Sequence, residues 1–293
     1  YFTGQAQKCS DLVDIYIMSS RLELKLSACM LYVYSNLTLG NAKASERGLE
    51  IIRECLRKEM AAPTSERNTA YCVFAGYVGT VLLHLSTEEL PDMKKYMSSL
   101  PQGLRIFAAS MISHALYLNG EYSRALGICD AALFCCKEIY PVGMIYLYCV
   151  TAMCEISLKN PAEAEKAILT AWKLAEKDEL IEPFIELHGL LQGLLESCIR
   201  KENPEMYRKI SDAVITFSRG WMAVHNPASD RPVTDALTTM EFSIAMLACR
   251  DWSNREIAEH IGVSLNTVKH YLTDIFNKLH VKKRDELKNF VLK

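Results

Sequence analysis

Apolar residues recur at three- and four-residue spacing along nearly the whole chain, and no stretch alternates cleanly with period two. That pattern excludes most architectures at once. A helix buries one stripe of its surface, whereas a half-buried strand must alternate sides. An all-α fold is therefore expected. The breaks between helical stretches recur in one form, a short polar turn with Gly or Asn-Pro followed by an Ala-containing helix. They read LGNAKAS at 39–45, STEELPDM at 86–93, NGEYSRA at 119–125, KNPAEAE at 159–165 and ENPEMY at 202–207. Their spacing is irregular but averages about 40 residues, within the range of helical-pair repeats.

Each turn separates a helix richer in aromatics and Cys from one richer in small residues. Leu104–Leu118 precedes Glu121–Lys137, and Val142–Leu158 precedes Ala162–Lys177. The segment LNGEYSRALGICDAAL resembles the turn and second helix of a tetratricopeptide repeat. Gly120 would let the chain reverse, Tyr122 would pack on the preceding helix, and Ala125 would allow close helix approach. A TPR-like superhelix of helix pairs is the expectation, with a non-repetitive helical bundle as the alternative. The opening YFTGQAQKCSDLVDIYI has no initiating Met and reads as a repeat turn plus second helix, Gly4 standing as Gly40 does. Its partner helix is expected in a preceding segment. After Trp221 the pattern dissolves into HNPASDRPVTDA, with Pro227 and Pro232 and no apolar period. The division expected is a helical sensor or interaction domain over 1–225, a linker over 226–235, and a second domain over 236–293.

The net charge of −2 predicts no nucleic-acid partner for the chain as a whole, so any basic surface must be local. No apolar run approaches the roughly 18 residues that span a bilayer, and no secretory leader is expected. No membrane partner and a cytoplasmic location are expected. The eleven cysteines form no C-x-x-C pair and have no His at zinc-finger spacing. Most lie inside helical patterns, where a free Cys acts as a small buried hydrophobe. Cys135 and Cys136, with Cys129 close by, leave a redox-sensor alternative. No metal and no cofactor are expected, and no P-loop occurs. His84, His114, His188 and His225 pair with no nucleophile or carboxylate motif, so no catalytic residue is assigned and no enzyme is expected.

Beyond the linker the chain reads as a helix over Thr239–Cys249, a turn, and a short helix capped by Ser253 or Asn254 with Ile257, Ala258 and Ile261 inward. Gly262 breaks the chain, and Ser264 is placed to cap a longer helix running to about Leu279. A last helix begins near Arg284. Two helices separated by a short Gly-containing turn match the helix-turn-helix layout.

On the long helix Val268, Leu272, Ile275 and Leu279 fall on one face. Opposite them lie Asn266, Lys269, His270, Thr273 and Asn277, all able to hydrogen-bond and none acidic. A major groove admits one α-helix, and such side chains reach base edges there. Lys269 can donate to guanine O6 and N7, and Asn266 can pair with adenine. The helix N-terminus favours phosphate, with Ser264 and Thr267 as further donors. From Thr267 onward seven basic residues, Lys278 and Lys282 among them, face three acids. That excess suits a phosphate-tracking surface.

The run LTTMEFSIAMLACRDWSNREIAEHIGVSLNTVKHYLTDIFNKLHVKKRDEL resembles the LuxR-type helix-turn-helix domain. Leu237-Thr238 with Glu241, then SNREIA, VSLNTVK, IFNKL, Val281 and RDEL follow in order over about 236–292. The resemblance implies a four-helix domain reading double-stranded DNA with its third helix, and a homodimer on DNA through its fourth. It places Lys269, His270 and Thr273 at base-reading positions and Asn254 and Thr267 at phosphate-contacting ones. Leu287, Phe290 and Val291 would line the dimerisation helix. Asp251 and His280 stand where Gly is usual, and both residue types tolerate positive φ.

The helical region resembles the effector domain of maltose-activator-like regulators, which implies a small-molecule or protein effector acting there. Concave solenoid faces offer a large binding surface. Tyr71, Tyr77, Tyr117, Tyr146, Tyr148 and Trp172 can stack on a ligand, but each reads more readily as core. The expectation is a one-component DNA-binding transcription regulator. The alternative is a TPR-like interaction scaffold whose helix-turn-helix is structural and binds no DNA.

Overall fold

The computed structural model describes residues 1–82, 90–225 and 237–287, and among them every regular element is helical. The first part of the chain forms α1 (Ala6–Asp14), α2 (Leu22–Thr38), α3 (Ala42–Ala61) and α4 (Glu66–Val81). After a 3-10 turn at Met93–Ser99 come α5 (Gln102–Leu118), α6 (Tyr122–Cys135), α7 (Pro141–Ser157) and α8 (Pro161–Ala175). The ends of α5 to α8 lie within a few residues of those read from periodicity. The turn read at 86–93 falls partly on residues 83–89, outside the described residues.

One local device joins three of these pairs. Gly40, Gly120 and Lys159 take the left-handed conformation, with φ of 70°, 77° and 63°. In each case the next residue's N–H reaches back five residues: Asn41 to Asn36 O (2.8 Å), Glu121 to Leu116 O (2.9 Å) and Asn160 to Glu155 O (2.9 Å). This Schellman turn satisfies the last carbonyls of the helix and reverses the chain. Glycine adopts it without a Cβ penalty. Lys159 adopts it because Pro161 cannot extend the helix, at a cost of about 1 kcal/mol. Consecutive helices then pack as antiparallel neighbours from α1 through α4 and from α5 through α8.

After α8 the chain runs through α9 (Glu182–Glu186), a π-helical turn at Leu195–Ile199, α10 (Arg200–Glu202) and α11 (Pro204–His225). The long α11 returns across α2 and α9. A Cβ on Gly220 would lie 1.9 Å from Leu37 O, so only glycine permits this crossing. Glu182 N–H donates to Phe2 O at 3.1 Å, so the first and last elements of the array meet. There Tyr1 and Tyr146 hydroxyls both donate to the half-buried Glu186 carboxylate.

The aromatics Tyr71, Tyr117, Tyr146 and Trp172 are buried, and Tyr77 and Tyr148 are half-buried, so the core reading holds for them. All eleven cysteines are free. Cys129 is buried while Cys135 is exposed. No helix is long and apolar enough to cross a membrane among the described residues.

The C-terminal unit comprises α12 (Thr239–Cys249), α13 (Asn254–Ile261), α14 (Leu265–Leu279) and a 3-10 turn at Arg284–Leu287. Each start is capped. Thr238 with Glu241 and Ser253 with Glu256 form capping boxes, and Ser264 Oγ accepts from Thr267 N–H at 3.1 Å. Gly262 ends α13 at φ 75°. Asp251 (φ 61°) and His280 (φ 55°) make the other two left-handed turns, as their residue types allow.

Candidate nucleic-acid interface

The geometry of α14 follows from its period. Val268, Leu272, Ile275 and Leu279 are buried against Ile257, Ala258, Ile261 and the apolar face of α12. Burying such a row stabilises the helix by roughly 1.5–3 kcal/mol per side chain before entropy. The opposite stripe is then necessarily solvent-facing. Asn266, Lys269, His270 and Thr273 are all exposed, and the helical array does not cover them. Thr273 Oγ1 donates to Lys269 O at 3.0 Å. Thr267 is half-buried, and its hydroxyl lies 2.8 Å from Ser264 Oγ, which caps the helix. These six residues occupy one contiguous edge: the N-terminal end and outer face of α14.

The other predicted positions have different surroundings. Asn254, at the first turn of α13, accepts a hydrogen bond on Oδ1 from Arg284 Nη1 at 3.1 Å. Lys282 has an exposed side chain, and its backbone N–H donates to Glu286. Lys278 is engaged inside the unit. Its Nζ lies 2.7 Å from both carboxylate oxygens of Glu241. Burial alone would raise the Glu241 carboxyl. The hydrogen bonds from Lys278 and Thr238 outweigh it and hold the group below the ordinary carboxylate range.

Leu287 is fully buried and packs within its own unit. Phe290 and Val291 lie outside the described residues.

Arg284 is one of the seven basic residues that the sequence places in the run after Thr267. Its guanidinium donates to Ala248 O at 3.0 Å, to Trp252 O and to Asn254. It is half-buried and ties the α12–α13 turn to the C-terminal turn. An isolated Arg in a Lys-rich run carries no signal of this. The basic surface left near α14 among the described residues is Lys269, Lys282 and Lys283, all exposed.

A tri-helical unit with caps at each start, a short turn before a longer helix, and an exposed polar stripe on that helix defines the helix-turn-helix class. Residues 235–291 match the family model of bacterial regulatory proteins, luxR family, and this C-terminal unit is a LuxR-type domain. The chain is also similar to "Probable transcriptional regulatory protein SgaR" of Hyphomicrobium methylovorum, 28% identical over 94 residues. That stretch covers 29% of this chain and 40% of that protein, so the chain spans well under half of its relative's length. No solved structure matches the chain.

Proposed function

We propose that the chain is a sequence-specific DNA-binding transcription regulator. In this reading α14 enters the major groove, where Lys269, His270, Thr273 and Asn266 read base edges. Asn254, Ser264, Thr267 and Lys282 bind the flanking phosphates. Lys278 joins them only by giving up Glu241. The observation that carries the reading is the exposed, acid-free stripe on α14, set on a helix whose other face is anchored in the core. A helix with that division can leave its outer face to a groove without unfolding.

The domain plan that goes with it has a helical domain over 1–225, a linker over 226–235 and a DNA-binding domain over 236–293. The helical domain belongs to the TPR-like type, supported by its threefold use of one Schellman turn, and takes a small-molecule or protein effector. On DNA the protein is a homodimer on inverted half-sites, joined through Leu287, Phe290 and Val291.

The test is selection of bound duplexes from a random pool, followed by affinity measurement across salt concentrations. Enrichment of an inverted repeat, with log affinity falling linearly with log salt, supports the reading. Absence of salt-sensitive duplex binding overturns it in favour of the interaction scaffold.

A further inference from the structure

The stripe on α14 is open, but the unit that carries it is docked. Two glycines of the segment between α9 and the π-helical turn receive two side chains of the C-terminal unit. A Cβ on Gly189 would lie 2.3 Å from Phe242 Cε1, and one on Gly193 would lie 2.3 Å from Ile261 Cδ1. Gly193 sits at φ 86° and Gln192 at φ 51°, so the backbone is bent here to present Gln192 O, which accepts from His260 Nε2 at 3.0 Å. Ser243 Oγ donates to the buried Glu196 at 3.4 Å.

Arg250, at the end of α12, makes the deepest polar reach. It donates to Ser157 Oγ and, at 2.5 Å, to Tyr117 OH, with its guanidinium 5.4 Å from the Tyr117 ring centre. No carboxylate pairs with it among the described residues. A half-buried charge without a counter-ion pays a desolvation cost that neutral acceptors offset only in part, and Arg250 Nε has no partner here, which weakens the docked position. The acceptors have a second donor. Gln192 Nε2 reaches Tyr117 OH at 3.4 Å and Ser157 Oγ at 3.3 Å. When Arg250 leaves, these oxygens keep a partner, and the guanidinium moves to water at no cost in buried unpaired groups. The seam is also incompletely filled: a cleft of about 340 Å³ opens between Lys159, Cys198 and Lys201 on one side and Trp252, Glu256 and His260 on the other.

We propose that Arg250 is a reversible latch between the helical array and the C-terminal unit, with Tyr117, Ser157 and Gln192 as its catch. In either position of the latch the Tyr117 and Ser157 oxygens keep a donor, which a two-state element requires. A signal that rearranges the catch thereby frees the C-terminal unit to orient independently. Two half-sites on DNA demand a fixed spacing between paired units, so freedom of orientation couples the array to binding. That coupling rests on the proposed function; the latch itself does not.

Hydrogen exchange on the full chain tests it. Loss of the charge-assisted bonds in Arg250→Ala shifts the docking equilibrium roughly tenfold or more, with matching faster exchange at 189–199 and 256–262. Exchange in α2–α4 stays unchanged. Tyr117→Phe, which keeps the ring and removes the acceptor, shifts the same segments by a smaller factor. It serves the same purpose if Arg250→Ala does not fold. Wild-type protection at the seam in a folded variant of either kind overturns the latch. Duplex affinity is measured in parallel. Failure of the wild type to bind DNA overturns the proposed function, and the exchange result still decides the latch.

Discussion

Lys278 and Glu241, 37 residues apart, form a two-oxygen ion pair that clamps α14 to the first turn of α12. Glu241 is buried and also receives the Thr238 N–H at 2.7 Å, so one carboxylate closes a capping box and anchors the groove-facing helix. The two partners are unequal. Lys278 can turn to water, whereas Glu241 cannot.

Removing the cation therefore costs more than neutralising the acid. Lys278→Met leaves a buried carboxylate short of a partner and should destabilise the C-terminal unit by about 2–3 kcal/mol, discounted for the half-exposed ammonium. Glu241→Gln, which keeps the cap acceptor, should cost about 1 kcal/mol. Exchange rates of the slowest α14 amides report both. An equal cost for the two variants contradicts the asymmetry.

Lys269 makes no ion pair among the described residues and stands fully outside the core. Lys269→Ala should leave the melting temperature within about 1 °C, since exposed substitutions cost little. Specific DNA binding should fall by about 1–3 kcal/mol. Fluorescence anisotropy with a selected duplex measures this, and unchanged affinity removes Lys269 from the groove.

Glu186 supplies a pH dependence at the other end of the molecule. Burial, then the neighbouring Glu182 charge, pushes its carboxyl up to about 8. A raised carboxyl favours the protonated folded form, so its contribution is complete below the ordinary carboxylate range and is lost as pH rises through about 8. Glu182, raised to about 7 chiefly by burial, moves in the same direction. Thermal stability should fall between pH 5 and 9. Glu186→Gln should flatten that fall and exceed wild type at pH 9, while both proteins melt together near pH 5.

His260 sets the opposite slope at the seam. Burial lowers its pKa from the ordinary 6.5, and this outweighs the bond to Gln192 O and the attraction of Glu196 and Glu165; Lys201 adds to the lowering. Docked, the ring is neutral and donates from Nε2. Undocked, it binds a proton more readily, so docking is complete above the ordinary value and weakens as pH falls below it. Seam protection should therefore be lower at pH 5.5 than at pH 7.5, and His260→Gln should abolish the difference.

The main helices, the caps at Ser253 and Ser264, the left-handed turns at Gly40, Gly120, Gly262, Asp251 and His280, and the outward stripe of α14 are legible from residue order alone. These follow from interactions within a few residues: periodicity decides which face is buried, and a capping residue or a glycine decides where a helix stops. What Lys278, Arg284 and Arg250 do depends on long-range packing. A basic side chain at a helix edge reads the same whether it meets phosphate, water, Glu241 or Tyr117, because its partner lies 30 to 133 residues away. The return of α11 over Gly40, and the seating of Phe242 and Ile261 on Gly189 and Gly193, belong to the same class. They depend on backbones that approach within a missing side chain's width, and only the assembled fold brings those backbones together.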